Sequence, residues 1–448
     1  MTAYDAFVAS CKLNATSVYR MSIACLPHLE KSKNPFRSRE VQNMNTVQLV
    51  VLVGLLAVFT PLSLSAQSPT TFSATQSDPV ALGWMKGFPP PPEKRIGQPD
   101  SNYFSFPKLR WTVCHLRELL PTTQVSRGLG AALPLERASD NDIDDVVFKP
   151  LGGDTTMSWK QSLPTNYTDG MLILHKGRIV YERYFGCLDE SGKHAAMSMT
   201  KSITGLLAEI LVAEGTLDET ALVGQLVPEL IETAFGNATV RQVMDMTTAL
   251  DFSEDYSDPD AGIWIYSAAA NPLPKPADYE GPVGYYEYLQ TVKQKGEHGT
   301  AFGYKTINTD TLGWVIARTT GKSVPKLLSE RIWSRMGAEQ DGYMTIDSLG
   351  TAFSGGGLSA GLRDLGRLGL LMLNEGTING NRLFPAEAVR SIREGGDKAA
   401  FEKAGYTTLP GGSYRGMWWV LHNAHGAFAA RGVHGQTIYV DPTADMVI

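Results

Sequence analysis

Cysteine is scarce in this 448-residue chain: it has only Cys11, Cys25, Cys114 and Cys187, and no pair has metal or redox spacing. That removes zinc ribbons, iron–sulfur sites and thioredoxin-like chemistry. Basic charge is not in excess either. Forty Lys and Arg against 46 Asp and Glu leave a net charge of −6, so nothing favours a phosphate backbone and no nucleic-acid partner is expected. Asp255, Asp258 and Asp260 lack the spacing of a calcium loop. The glycine run Gly355-Gly356-Gly357-Leu358-Ser359-Ala360 lacks the strand and βαβ frame of a dinucleotide fingerprint. Neither metal nor cofactor is expected, and no internal repeat is evident.

Long apolar runs are missing too, apart from one near the start. Leu49 to Phe59 is almost unbroken, follows Lys31, Lys33, Arg37 and Arg39, and leads through Pro61 into Ser63-Leu64-Ser65-Ala66. A basic flank, a short apolar run and a small-residue exit predict a secretory signal over residues 1–66, cut near Ser65 or Ala66, and hence a secreted or periplasmic protein. An uncleaved membrane anchor is the alternative. Residues before Met44 resemble no folded segment. Only Cys114 and Cys187 lie beyond this leader; they are read as free thiols, with pairing in an oxidising compartment as the other possibility.

Residues 67–140 are loop-like, with Pro89 to Pro92 as the clearest breaker, although Leu109 to Leu120 has room for one or two short elements. The main domain is placed at 141–448. Met171 to His175 and Arg178 to Phe185, separated by Lys176-Gly177, alternate as a hairpin. Helical patterns then dominate: Val240 to Met246 behind a Thr239/Gln242 capping box, Leu312 to Thr320, Val324 to Met336, and Ala360 to Leu373 capped by Ser359. Asp251 to Glu280 reads as a long acidic loop. Strand patterns return at Met417 to His422, Ala427 to Arg431 and Thr437 to Val440. The expected fold is α+β: one antiparallel sheet built from both ends of the chain, flanked by helices, with a mostly helical insertion at roughly 216–345.

Ala195 to Gly215 stands at the centre of this pattern. Ile203, Leu206, Leu207, Ile210 and Leu211 make an apolar stripe on a helix that Gly215 closes. Ser198 and Lys201 share one face of its first turn. A serine hydroxyl becomes a nucleophile when a neighbour takes its proton, and a lysine at a partly dry helix start has its charged form disfavoured. The serine's own amide points outward there, toward a developing oxyanion. The spacing alone is weak evidence, because Ser323-Val324-Pro325-Lys326 repeats it where helix capping explains the serine.

Two further stretches matter. Tyr304 lies in Ala301-Phe302-Gly303-Tyr304-Lys305-Thr306-Ile307-Asn308, just before a helix, and a phenolate stabilised by a lysine ammonium could accept the serine proton. An aromatic anchor for the loop is the plain alternative. Arg431-Gly432-Val433-His434-Gly435-Gln436 runs through two glycines into a strand, which lets a ligand approach the backbone and makes the Gln436 amide a candidate oxyanion donor. A tight turn explains it equally well. His434 could serve as a triad base, but no nucleophile elbow is assigned to accompany it.

In that order, Ser198-Met199-Thr200-Lys201, the YKTIN segment and GVHGQ resemble the three active-site motifs of serine β-lactamase-related hydrolases, the family of class C β-lactamases, penicillin-binding proteins and esterases. Flanking text such as YTDGMLILHKGRIVYERYFG, VRQVMDMTTALDFSEDYSDP and NTDTLGWVIARTTGKS is similar to the 6-aminohexanoate-dimer hydrolase type, and the likeness runs from about Leu82 onward. The resemblance implies a β-lactamase/transpeptidase-like fold and an acyl-enzyme on Ser198. It casts Lys201 as proton partner, Tyr304 as general base and acid, and the Ser198 and Gln436 amides as the oxyanion hole. It also makes Tyr256, Asn308, His434 and Gly435 substrate-binding candidates, Tyr256 on a closing loop.

Three departures stand out. The K-T-G triad has become Val433-His434-Gly435, without the lysine that meets a β-lactam carboxylate. The Y-x-N asparagine is displaced to Asn308. The chain ends at Ile448 inside a strand pattern where relatives continue, so a truncated chain with a folding penalty is expected. The expected partner is a small amide or ester, and no membrane partner is expected unless the signal stays uncleaved. The alternatives are a β-lactamase or penicillin-binding protein, and a non-catalytic module that keeps the fold.

Overall fold

The computed structural model describes residues 72–97, 101–150, 153–406 and 409–448. The signal or anchor expected over 1–66 lies outside the described residues. Among those described, no helix is long and apolar enough to cross a membrane. The stretch read as loop-like contributes α1 (Leu109–Leu119) and β1 (Thr122–Val125). The predicted hairpin follows as β2 (Gly170–His175) and β3 (Arg178–Tyr184). Next come β4 (His194–Ala195), α2 (Met199–Ala213) and α3 (Val240–Met244), the last with its Thr239/Gln242 capping box formed.

The acidic segment is not loop throughout. It holds α4 (Gly262–Ala270), whose run of small and aromatic residues packs inward through Ile263, Tyr266 and Ala269. Helix α5 (Ile307–Thr320) begins five residues earlier than its apolar pattern suggested, because its first turn is polar yet buried. The helix expected from Val324 to Met336 ends at Leu328 and passes into a wider π turn at Ser329–Trp333. Ser359 caps nothing: it lies in β6 (Leu358–Ala360), which follows β5 (Gly342–Thr345), and α6 (Leu362–Leu373) starts after Gly361. The chain closes with β7 (Ser413–Arg415), β8 (Trp418–Val420), β9 (Phe428–Gly432), β10 (Gln436–Asp441) and β11 (Met446–Val447).

One seven-stranded antiparallel sheet runs in the order β7-β8-β9-β10-β11-β2-β3. Strand β11 joins the two ends of the chain, with Val447 opposite both Val440 and Leu174, and Ile448 exchanges two backbone hydrogen bonds with Tyr439. A smaller sheet, β1-β5-β6-β4, lies beside the start of α2. The fold is thus the expected α+β arrangement.

Helix α2 is buried all round from Met199 to Leu211, more deeply than a one-sided stripe predicts. Its polar residues therefore need internal partners. Ser202 donates to the Met417 carbonyl at 2.7 Å and Thr204 to the Ser354 carbonyl at 3.0 Å. The Trp418 indole donates to the Ser202 carbonyl at 2.8 Å. Glu209, 1% exposed, is held by Arg241 of α3 at 2.5 Å. A side chain at Gly205 would meet the Gly416 carbonyl at 2.0 Å, so only glycine lets α2 lie this close to the β7–β8 turn.

Cys114 and Cys187 are bonded, which corrects their reading as free thiols. Helix α1 packs against β4 and brings the two sulfurs together in a small cluster with Leu109 and Tyr343. A cross-link over 73 residues stabilises by about 4 kcal/mol in the chain-entropy treatment. Replacing both cysteines by alanine should lower the unfolding free energy by that order, as read from denaturant titration followed by circular dichroism; an unchanged value would remove the bond from the stability of this fold.

Candidate active site

The approach to α2 is a sharp turn. Met197 takes a left-handed φ of 48°, a strained choice for a non-glycine residue, and delivers Ser198 at the helix start. Ser198 adopts helical angles and makes no side-chain cap, so its hydroxyl is left for other partners. Lys201 Nζ lies 3.0 Å from Ser198 Oγ and donates to the Gly355 carbonyl at 2.6 Å. The Tyr304 phenol lies near enough to the same serine for the hydroxyl to favour its phenolate, and the lysine nitrogen sits 5.3 Å from the tyrosine ring centre. Two distant parts of the chain therefore meet. The second S-x-x-K pair does not resemble this: Ser323 and Lys326 are exposed, and Lys326 faces Glu330.

Burial sets the protons. Lys201 is 1% exposed, and desolvation pushes its pKa down against the pull of Glu254 and Asp310. Tyr304 is pushed far up, by burial first and Glu254 second. The phenolate expected from the sequence is therefore not the resting form; the phenol keeps its proton, and the amine is the group whose charge is destabilised.

The Ser198 amide has no hydrogen-bond partner among the described residues, as befits a first-turn N–H. Gly432 lies beside it. Its φ of −136° is ordinary, so the need for glycine is spatial: a Cβ there would sit 3.0 Å from Ser198 N and 2.8 Å from the Ala196 carbonyl. Gln436 is opposite Gly432 in the β9–β10 ladder. Val433 to Gly435 form the turn between them, with His434 left-handed at φ 65°.

The remaining candidates separate. Asn308 is fully buried, accepts from Thr248 at 2.6 Å and donates to the Lys305 carbonyl at 3.3 Å. It braces the Tyr304 segment from the core. His434 and Gly435 line an apolar cavity of about 240 Å³ with Arg110, Asp169 and His194, and that cavity includes none of Ser198, Lys201 or Tyr304. Burial and then His194 lower the His434 pKa to about 4, so it is neutral near pH 7. Gly357-Leu358-Ser359-Ala360-Gly361 has the spacing of a nucleophile elbow, yet Ser359 is wholly buried within β6, so no Ser–His triad is assembled there. Tyr256 is 44% exposed and donates to Glu254 at 3.0 Å. Glu254 in turn accepts from Thr306 N at 2.6 Å and Thr306 Oγ1 at 2.7 Å, which ties the Tyr256 loop to the Tyr304 segment.

A β-lactamase family model matches residues 167–448. The chain is 33% identical to a 6-aminohexanoate-dimer hydrolase from Paenarthrobacter ureafaciens over 359 residues, 80% of this chain and 88% of that one. The chain belongs to the β-lactamase family. A solved structure from Bacillus anthracis, provisionally named 6-aminohexanoate-dimer hydrolase, shares 33% identity at a TM-score of 0.71 and covers 77% of this chain and 88% of its own. The protein is accordingly a β-lactamase-family serine hydrolase.

Within this β-lactamase-family site the sequence reading missed the acidic residues around Lys201. Asp310 of α5 accepts from the Tyr266 hydroxyl at 2.5 Å and from Gly355 N at 3.3 Å. Burial pushes its pKa up to about 7. An apolar-periodicity search passes over a lone aspartate inside a helix, so no signal marked it. A carboxyl raised this way binds its proton in the folded state between about pH 4 and 7, where the unfolded chain has released it. Stability should therefore fall as pH rises through that window, by up to ~4 kcal/mol. Asp310→Asn should flatten this part of the unfolding free energy against pH; an identical slope in the variant would sever Asp310 from it.

Proposed function

We propose that the protein hydrolyses small linear amides or esters through an acyl-enzyme on Ser198. The observation that carries this is the convergence of the Ser198 hydroxyl with Lys201 Nζ at 3.0 Å and with the Tyr304 phenol. Ser198 Oγ attacks the substrate carbonyl carbon while its proton passes to the neutral Lys201 amine. Tyr304 hands its proton to the leaving nitrogen or oxygen as that bond breaks and recovers one from Lys201. Water then adds to the acyl-ester, the serine bond breaks, and the carboxylic acid leaves.

The oxyanion would sit at the start of α2 on the Ser198 amide. For the second donor we favour Val433 over Gln436: its nitrogen follows directly on the Gly432 carbonyl carbon, and Gly432 abuts Ser198 N. Tyr256 is the candidate to contact substrate from its exposed loop. The 6-aminohexanoate-dimer hydrolase relative supports a linear amide.

A panel of a p-nitrophenyl ester, a linear amide and a penicillin tests the reading. Burst release from the ester should vanish in Ser198→Ala, and stable labelling by the penicillin would favour a penicillin-binding protein instead. No turnover of any member by the wild type would leave the non-catalytic module. Gly432→Ala should lower kcat on the ester by roughly 10²–10³ and lower the thermal midpoint as well, because the added methyl crowds both the oxyanion position and the Ala196 carbonyl. Retained kcat in that variant would move the hole elsewhere.

A further inference from the structure

Three arginines are buried among the described residues: Arg110, Arg367 and Arg431. Arg110 meets Asp169 at 2.8 Å, and Arg367 meets Asp364 at 3.0 Å and Glu339 at 2.6 Å. Arg431 differs. It is 6% exposed, and among the described residues no carboxylate lies within ion-pair distance of it. The group that acts on its charge is the Tyr439 phenol, and its guanidinium packs 5.6 Å from the Trp419 ring centre. Burial pushes its pKa down to about 10, which still leaves it a cation near neutral pH. A desolvated charge without a counter-ion is costly, and a fold that keeps one has reason to offer it an anion.

Its place in the fold says which anion. Arg431 precedes Gly432, the residue that abuts the Ser198 amide. Strand β8 pairs with β9 only through Trp419–Ala429 and Val420–Phe428, so this side of β9 has no strand partner at Arg431 and Gly432. Trp419 and Ala429 face each other across the ladder, and Arg431 lies two residues on, which puts it on the same sheet face. The Tyr304 ring stacks on that same Trp419 at 5.6 Å and 26°. One indole thus carries the arginine and the tyrosine that neighbours Ser198.

We propose that Arg431 is a specificity-determining residue that binds a carboxylate carried by the substrate, so that the favoured substrates are linear amides or esters with a free acid group. A carboxylate fits the planar fork of a guanidinium with two parallel hydrogen bonds. The proposal rests on the hydrolase reading of the Ser198 site, and two measurements keep them apart.

The first compares the p-nitrophenyl monoester of succinic acid with neutral p-nitrophenyl butyrate. Wild type should favour the acidic ester at least tenfold in kcat/KM, mainly through KM. Arg431→Gln should collapse that ratio and Arg431→Lys should restore part of it. A ratio unchanged in Arg431→Gln overturns the proposal. The second is calorimetric titration with hexanoate and with hexanamide, each on wild type and on variants of native thermal midpoint. Hexanoate should bind wild type at least tenfold more tightly than the amide, and Arg431→Gln should lose the difference. Equal binding of acid and amide by wild type overturns the anion site whatever the esters do. If neither ester is turned over while hexanoate still discriminates, the hydrolase reading falls and the anion site stands.

Discussion

The site depends on keeping the Lys201 amine out of water. A lysine with 1% exposure, without an ion-pair partner among the described residues and held by a serine hydroxyl and a peptide carbonyl, has its charged form disfavoured. Everything around it follows from that demand. Helix α2 is sunk in the core so that its first turn is dry. Gly355 has no side chain, which lets its carbonyl reach the amine; a Cβ there would strike Thr306 at 2.7 Å. Asp310 and Glu254 pull the other way, restoring some of the charged form from a distance. The balance of these opposed effects sets the charge of the amine beside Ser198.

How legible was this in the sequence? Ser198, Lys201 and Tyr304 stood out through local pattern: a helical spacing, a loop-to-helix junction and an ordered set of motifs. The two-ended sheet was legible as well, because β2, β3, β9 and β10 alternate within a few residues. Glu254 and Asp310 were not, since their significance arises only when the acidic segment and α5 fold over α2. Gly432 was quoted as part of a motif, but its reason was hidden; no φ signal marks it, and the clash that excludes a larger residue involves Ala196, more than two hundred positions away. Asn308 stands close to Tyr304 in sequence, and a helical turn rotates it into the core.

The same rotation accounts for the polar first turn of α5. Thr306, Asn308, Thr309 and Asp310 are all buried there, so an apolar-pattern reading starts the helix too late. Glu254 accepts from the Thr306 amide, and through Tyr256 it connects an outward loop to the Tyr304 segment. Structure and chemistry are coupled at this junction: a carboxylate that ends a helix also helps hold the phenol protonated.

Strand β11 has one more consequence. It lies inside the sheet, between β10 and β2, so Leu174 and His175 find their neighbours some 270 residues later in the chain. At roughly 5–20 residues per second on the ribosome, the early hairpin would emerge and wait for a quarter of a minute or more with one edge bare. A chaperone shielding that edge during synthesis would meet a need created by the topology itself.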